Sequence, residues 1–485
     1  MRSVSKDIHN NNNKKELEDY RKSIIQTINP TTERVIKEYD IMNNDQIEDS
    51  IKESRNAFSE WKKSIDKRSE FLYTFAKELR KNKEKLAKTA TEEMGKAIKE
   101  SRSEVEKCAW VIEYYADNGK IFSTSEVVNT DARKSTISFE PIGVIGSIMP
   151  WNFPYWQGIR FAAPSLMVGN TIVLKPASAT MQCGIEIEDT FHKAGVPEGV
   201  FQTLIGDSTI AETLIDSKGV NAITFTGSVP IGAKVAQRAT SQLKKTVLEL
   251  GGSDPFIVCN DADIEKATTG AVKGRFINCG QSCIASKRFI VDKSIANQFT
   301  EGFVQKAEKL RVDDPFLEDT DIGPVVNAES LEHVDRIVKT SIKKGAELLT
   351  GGERVKDKGY FYRPTILKNI SPKMEIAQEE VFGPVAPIIV TNDEKEAIKV
   401  ANDSKFGLGA SIWTQDLEKA EKLSAIVESG IVTVNNMVVS DPRVPFGGVK
   451  RSGFGRELSK YGMMEFVNIK SIRLYDQLIY NHHVE

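Results

Sequence analysis

The sequence predicts an α/β protein of two doubly wound lobes with a cleft between them, and three observations carry the prediction. From about residue 171 onward, short β-rich runs alternate with helix-length segments; glycines close most of the runs; and the alternation is played through twice. Strands that alternate with helices pair in parallel, because each crossover must return over the sheet. A chain of 485 residues sets a prior of about three domains and leaves ample room for large buried cores.

Taken in order, the first third reads as helical. Ile47, Ile51, Phe58 and Trp61 recur at helical spacing over residues 46–61, and Phe71, Leu72, Phe75, Leu79 and Leu86 do so again. The first strand series is then predicted at 171–174, 200–204, 222–225 and 246–250, and the second at 256–258, 289–291, 387–390 and 431–434. Residues 134–138 alternate like an edge strand, a candidate for subunit contact. No repeat of fixed period is present.

Composition narrows the function. Sixty-six basic residues against sixty-eight acidic leave a net charge of −2, so no global field recruits nucleic acid or an anionic membrane surface. The apolar run at 141–150 is half the roughly twenty residues that a span requires. Five cysteines without a CxxC pair, beside five histidines, argue against a disulfide framework or a structural zinc site and for a reducing compartment. Residues 1–22 are polar and Asn-rich, lack the apolar core of a secretion signal and are too acidic for a transit peptide, so a cytoplasmic location is expected.

Four segments stand out from ordinary punctuation: Met-Pro-Trp-Asn-Phe-Pro at 149–154, Leu-Glu-Leu-Gly-Gly at 248–252, Phe-Ile-Asn-Cys-Gly-Gln-Ser-Cys at 276–283 and Glu-Val-Phe-Gly-Pro at 380–384. In this order and at these separations they resemble the aldehyde dehydrogenase superfamily, from about Asn29 to about Tyr475. The resemblance implies two Rossmann-like domains joined by a small bridging β-element: a cofactor domain of residues 1–122 and 142–250, a catalytic domain of 251–450, and a bridge of 123–141 and 451–485. It also implies a homodimer or homotetramer.

By the same resemblance Cys283 is the nucleophile. An unperturbed thiol, with a pKa of about 8.5, is only a few per cent ionised at neutral pH; the family favours the thiolate with backbone N–H groups and the positive ring of the oxidised cofactor. Read alone, Cys283 would be a small buried hydrophobe. Cys279 takes that bland reading, with a Cys279–Cys283 redox switch as the alternative. Glu249 ends a predicted strand, so its carboxylate faces the crevice where ligands of parallel sheets bind; the family's general base stands there, which requires a pKa raised toward the working pH by partial burial. Asn152 precedes a proline that opens a helix, which is ordinary capping grammar; in the family its amide and the backbone N–H of Cys283 form an oxyanion hole.

For the cofactor, residues 206–211 make a poor dinucleotide fingerprint, whereas the strand-to-helix turn holding Gly227 and Ser228 presents free N–H groups to a pyrophosphate. The resemblance assigns Lys175 to the adenosine ribose, Glu380 to the nicotinamide ribose and Phe382 to the ring, with Trp151 and Leu250 beside them. Strongly NAD-preferring members carry a glutamate where this chain has Ser178. A glutamate repels a 2′-phosphate and a serine beside Lys175 does not, so NADP is expected as the preferred cofactor, with NAD also usable.

For the substrate, a helix running on from Asn152 places Asn152, Trp156 and Arg160 on one stripe. A guanidinium there suits the carboxylate of a short ω-carboxylated aldehyde, although a helix arginine also commonly serves an ion pair. Arg160 and Ser440 match positions that bind carboxylate in succinate-semialdehyde dehydrogenases, with Phe446 nearby. The second arginine of those enzymes is Ile277 in this chain, and Arg443 is the expected replacement. Oxidation of succinate semialdehyde to the acid through a cysteine thiohemiacetal and thioester is therefore expected, ahead of malonate semialdehyde or another small aldehyde. A non-redox thioesterase using Cys283 and a non-catalytic binding protein are the competing classes, and the nucleotide motifs and the retained active groups oppose them.

Overall fold

The computed structural model describes residues 23–476. The N-terminal stretch 1–22, on which the targeting expectation rests, lies outside the described residues, as does the end of the bridging element beyond 476.

The helical first third forms as its periodicity dictates. Asn43 and Gln46 make a capping box for helix Asn44–Trp61, which buries Ile47, Ile51 and Trp61. The second periodic run is two helices, Ile65–Lys81 and Lys83–Met94, interrupted at Asn82. A further helix, Ile98–Phe122, falls within the third that reads as helical but outside the two periodic runs; it buries Val105, Cys108, Val111, Ile112 and Tyr115.

The first lobe is a six-stranded sheet in the order Gly453–Phe454, Lys245–Glu249, Ala222–Thr226, Val144–Ile148, Thr171–Lys175, Phe201–Thr203, parallel except for the first strand. Val144–Ile148, hidden in the sequence inside the apolar run before the 149–154 motif, is a central strand with all five residues buried. Both faces of this sheet are covered, by Phe191, Leu166 and Tyr115 on one side and Ile47, Leu214 and Ile215 on the other. Two-sided burial explains its unbroken apolar runs.

The second lobe is a seven-stranded sheet ordered Glu347–Thr350, Thr365–Lys368, Val385–Thr391, Ser286–Asp292, Asp254–Val258, Gly409–Trp413, Ile431–Val434, with the first strand antiparallel. Phe256, Phe289, Phe299, Phe303 and Trp413 fill its core. A third sheet corrects the edge-strand expectation. Lys134–Pro141 is the middle strand, paired with Glu126–Val128 on one side and over its whole length with Val467–Leu474 on the other. Its burial does not alternate: every residue from Thr136 to Pro141 is half-buried.

A candidate active site between the lobes

Strand Lys245–Glu249 ends the first sheet and strand Asp254–Val258 opens the second, so only four residues carry the chain across. That junction puts Glu249 at a strand's carboxyl end beside the loop that bears Cys283. The approach is close: a Cβ on Gly252 would lie 2.8 Å from the Cys283 carbonyl oxygen, and one on Gly251 would lie 2.2 Å from a Glu380 carboxylate oxygen. The double glycine is the condition for three functional segments to meet.

The Cys283 loop follows helix Ile264–Phe276 through three consecutive left-handed residues, Asn278, Cys279 and Gly280, at φ of 50°, 57° and 72°. Gly280 packs so closely that a Cβ would stand 2.3 Å from the Gly383 carbonyl oxygen. Side chains hold the turn: Asn278 donates to the Asn152 carbonyl at 2.7 Å, its own N–H donates to Glu100 at 3.0 Å, and Gln281 accepts from the Val326 N–H at 2.9 Å. Asn152 in turn donates its amide to the Gln281 carbonyl at 3.1 Å. The helix after it, Pro154–Val168, has proline at its start, and Glu104 accepts from the free N–H groups of Tyr155 and Trp156 at 2.9 Å each.

Burial pushes the Cys283 thiol up to about 11, opposed by the positive fields of Arg160 and Lys287. Lys287 is itself buried and donates to the carbonyls of Ser282 and Cys283 at 2.8 and 2.7 Å, with Glu380 at 3.2 Å. Glu249 is 2% exposed and neither carboxylate oxygen has a hydrogen-bond partner. Burial first, and the like charge of Glu457 second, hold it well above the ordinary carboxylate range, against the opposing pull of Arg160. A buried, unpaired carboxyl of this kind is a proton acceptor in waiting. Cys279 is fully packed and pushed up by burial.

On the other side of the junction lies a candidate nucleotide cleft. Lys175 ends its strand with burial pulling its ammonium down to about 8, and among the described residues no acid is ion-paired with it. Ser178 opens a short 3₁₀ turn three residues later. Gly227 donates to the Glu249 carbonyl at 3.1 Å, and Ser228 precedes helix Val229–Thr240 with its hydroxyl unused as a cap. Glu380 accepts from the Gly252 N–H at 3.1 Å, and the rings of Trp151 and Phe382 meet edge-on at 5.7 Å. Leu250 is 6% exposed and packs its side chain against Gly232, on the helix that follows Ser228. A free buried cation, an uncapped helix N-terminus and a carboxylate held near two aromatic rings fit a dinucleotide.

A cavity of about 710 Å³ opens onto Cys283 and is lined by Lys107, Trp156, Arg160, Ile277, Ser440 and Phe446 among others. One substrate expectation needs correction. Arg160 lines this cavity as expected; it is 2% exposed, ion-paired with buried Glu457 and stacked over Phe446 at 4.4 Å, and its Nη2 has no hydrogen-bond partner among the described residues. Arg443 does not reach the cavity. Its side chain is exposed, pairs with Asp441 at 2.5 Å and lies near Trp110. Phe446 and Glu457 exchange backbone hydrogen bonds of 2.7 Å, which is what sets Glu457 beneath Arg160. Sequence reasoning missed Asn278, Lys287, Glu457 and Lys107. Asn278 lies inside the 276–283 motif and was legible, and Lys287 follows that motif by four residues; Lys107 and Glu457 come from elements distant in the chain.

Comparison with known proteins agrees with this geometry. Residues 17–472 match the aldehyde dehydrogenase family. A probable NADP-dependent succinate-semialdehyde dehydrogenase of Synechocystis sp. is 44% identical over 92% of this chain and 99% of its own. The NAD(P)-dependent succinate semialdehyde dehydrogenase Sad of Escherichia coli is 42% identical over 92% and 97%. Among solved structures, the succinic semialdehyde dehydrogenase of Streptococcus pyogenes with NADP superposes with a TM-score of 0.91 at 36% identity, covering 93% of this chain and all of that one. Likeness of this extent in both sequence and fold places the chain in the aldehyde dehydrogenase family.

Proposed function

We propose that the protein oxidises succinate semialdehyde to the dicarboxylic acid with NADP preferred and NAD accepted. The observation that carries this reading is the cavity itself, which joins the Cys283 thiol to a polar end formed by Ser440 with Arg160 in its wall. Lys175, Ser178, Gly227, Ser228, Glu380, Phe382 and Trp151 would hold the dinucleotide, which would supply a hydride acceptor. The absence of an acid at Ser178 supports room for a 2′-phosphate, and the cofactors for which the relatives are named agree.

The chain's own residues do the rest. The Cys283 thiol gives up its proton to solvent, and Sγ bonds to the aldehyde carbon as the carbonyl π electrons move to oxygen. The resulting oxyanion is held by the Asn152 amide and the Cys283 N–H, a contribution typically on the order of 10²–10³ in turnover. Hydride loss from that carbon, for which the bound dinucleotide would be the acceptor, would leave a thioester on Cys283 Sγ. Glu249 then takes a proton from water, whose oxygen attacks the thioester carbon and frees the acid and the thiol. Trp156 and Phe446 shape the apolar wall along the substrate's methylenes.

The domain division at residues 250–251, with 123–141 and 451–485 as a bridge, is supported by the change of sheet there, although Gly453–Phe454 pairs back onto the first sheet. Ile469, Leu474 and Val127 expose apolar surface on the third sheet, which supports a homodimer or homotetramer built through it; we place the enzyme in the cytoplasm. The experiment is a panel of aldehydes assayed at 340 nm with each cofactor. Succinate semialdehyde with NADP is expected to give the highest kcat/KM, and a higher value for an uncharged aldehyde, or for NAD, would refute the corresponding half of the reading.

A further inference from the structure

The cavity presents four cations, and their partners separate them. Lys99 pairs with Asp321 at 2.6 Å, Arg160 pairs with Glu457, and Lys273 is exposed. Lys107, on helix Ile98–Phe122, is in no ion pair among the described residues. Its ammonium lies 4.4 Å from the centre of the Trp156 ring and donates to Ser440 Oγ at 2.7 Å. One of three ammonium protons is thereby used, and two remain for an acceptor.

The acids that face Lys107 are committed elsewhere. Glu104, one turn earlier on the same helix, holds Lys96 and the N–H groups of Tyr155 and Trp156. Asp441 is paired with Arg443. Cys108 is buried with its thiol pushed well up, and Arg160 repels Lys107 from the opposite wall. The residue is thus a cation set over the Trp156 ring, with no counter-ion of its own among the described residues and with Ser440 as a neighbour. An anion delivered into that space gains a charge-assisted hydrogen bond and relieves an uncompensated charge.

We infer that Lys107, with Ser440 bridging, is the cation that binds the carboxylate of the substrate, in place of Arg443 and of the apolar Ile277. This rests on the proposed substrate and adds the residue that selects it. It also gives the enzyme a pH-sensitive affinity. Burial and Arg160 pull the ammonium down to about 8, so the charge that holds a carboxylate is lost as pH rises through that value.

The test compares succinate semialdehyde with butanal, which has the same carbon count and no charge, in the wild-type enzyme and in Lys107→Met and Lys107→Arg. The readout is the ratio of the two kcat/KM values, which is insensitive to a partly folded sample. Loss of one partner of a buried charge pair predicts a fall of about 30-fold or more in Lys107→Met, with much of the ratio recovered in Lys107→Arg. In the wild-type enzyme, KM for succinate semialdehyde is expected to climb above pH 8 while KM for butanal does not follow. A ratio held within threefold in Lys107→Met overturns the inference; if that variant does not fold, a wild-type KM for succinate semialdehyde that tracks butanal from pH 7 to 9.5 overturns it instead. A wild-type preference for butanal would defeat the substrate reading itself, before any variant is made.

Discussion

Replacing Arg160 by methionine keeps the side-chain length and most of the contact with Phe446 while removing the charge. In the folded protein Glu457 would then stand buried, with a carboxyl side chain 3% exposed, and without its ion partner. An uncompensated buried charge costs about 3–5 kcal/mol. The carboxyl escapes part of that cost by taking up a proton, since burial already raises it and Arg160 is what holds it down. Glu249 loses the same lowering influence. An acid whose folded pKa is raised contributes stability that is present below its ordinary value of about 4.3 and is lost as pH climbs through the folded pKa, at up to about 1.4 kcal/mol per unit. The deficit of Arg160→Met should therefore be larger at pH 8 than at pH 6. Urea unfolding at both pH values, with unchanged slopes, measures it. The double variant Arg160→Met/Glu457→Leu, which removes both charges, should recover to within about 1–2 kcal/mol of the parent. A deficit under about 1 kcal/mol, or one that is equal at the two pH values, would refute the account of Arg160 as one half of a buried pair.

Glu249→Gln should lower steady-state turnover by about 10²–10⁴-fold while leaving a pre-steady-state burst of reduced cofactor, because a thioester forms and is not hydrolysed; loss of the burst would place Glu249 earlier in the reaction. In the parent, turnover should rise with pH as this raised carboxyl deprotonates, and that dependence should vanish in the variant. Gly280→Ala would put a methyl group 2.3 Å from the Gly383 carbonyl oxygen at a φ of 72°. The strain, about 1–3 kcal/mol before any clash, should displace the Cys283 loop and abolish turnover, with rapid alkylation of Cys283 as the check on whether the thiol has moved into solvent.

Most of the fold was legible because parallel strands buried on both faces write themselves as apolar runs: the expected 222–225 and 289–291 fall within the fully buried strands Ala222–Thr226 and Ser286–Asp292, while Ile431–Val434, also where the sequence places it, is a half-buried edge strand. Val144–Ile148 escaped because such a run differs from a loop's apolar stretch only in what packs around it. Helix Ile98–Phe122 carries Glu, Lys and Ser through its first half, which blurs the period; those polar residues are there because the helix borders a cavity. Cys283, Glu249 and Asn152 were readable from motifs, since a strained turn, a double glycine and a proline-opened helix are local demands that local sequence must meet.

The pairing of charges was not readable. For Arg160 the sequence offered a carboxylate site or an ion pair, and nothing near it in the chain shows that Glu457 lies beneath it; Lys107 carried no signal of its own. The sequence by itself determined the covalent machinery and the sheets that carry it, as these depend on neighbours within a few residues. Which cation is spent on the protein and which is left for a ligand was decided only by tertiary structure, because a charge's availability depends on every buried group around it, and those come from segments hundreds of residues apart.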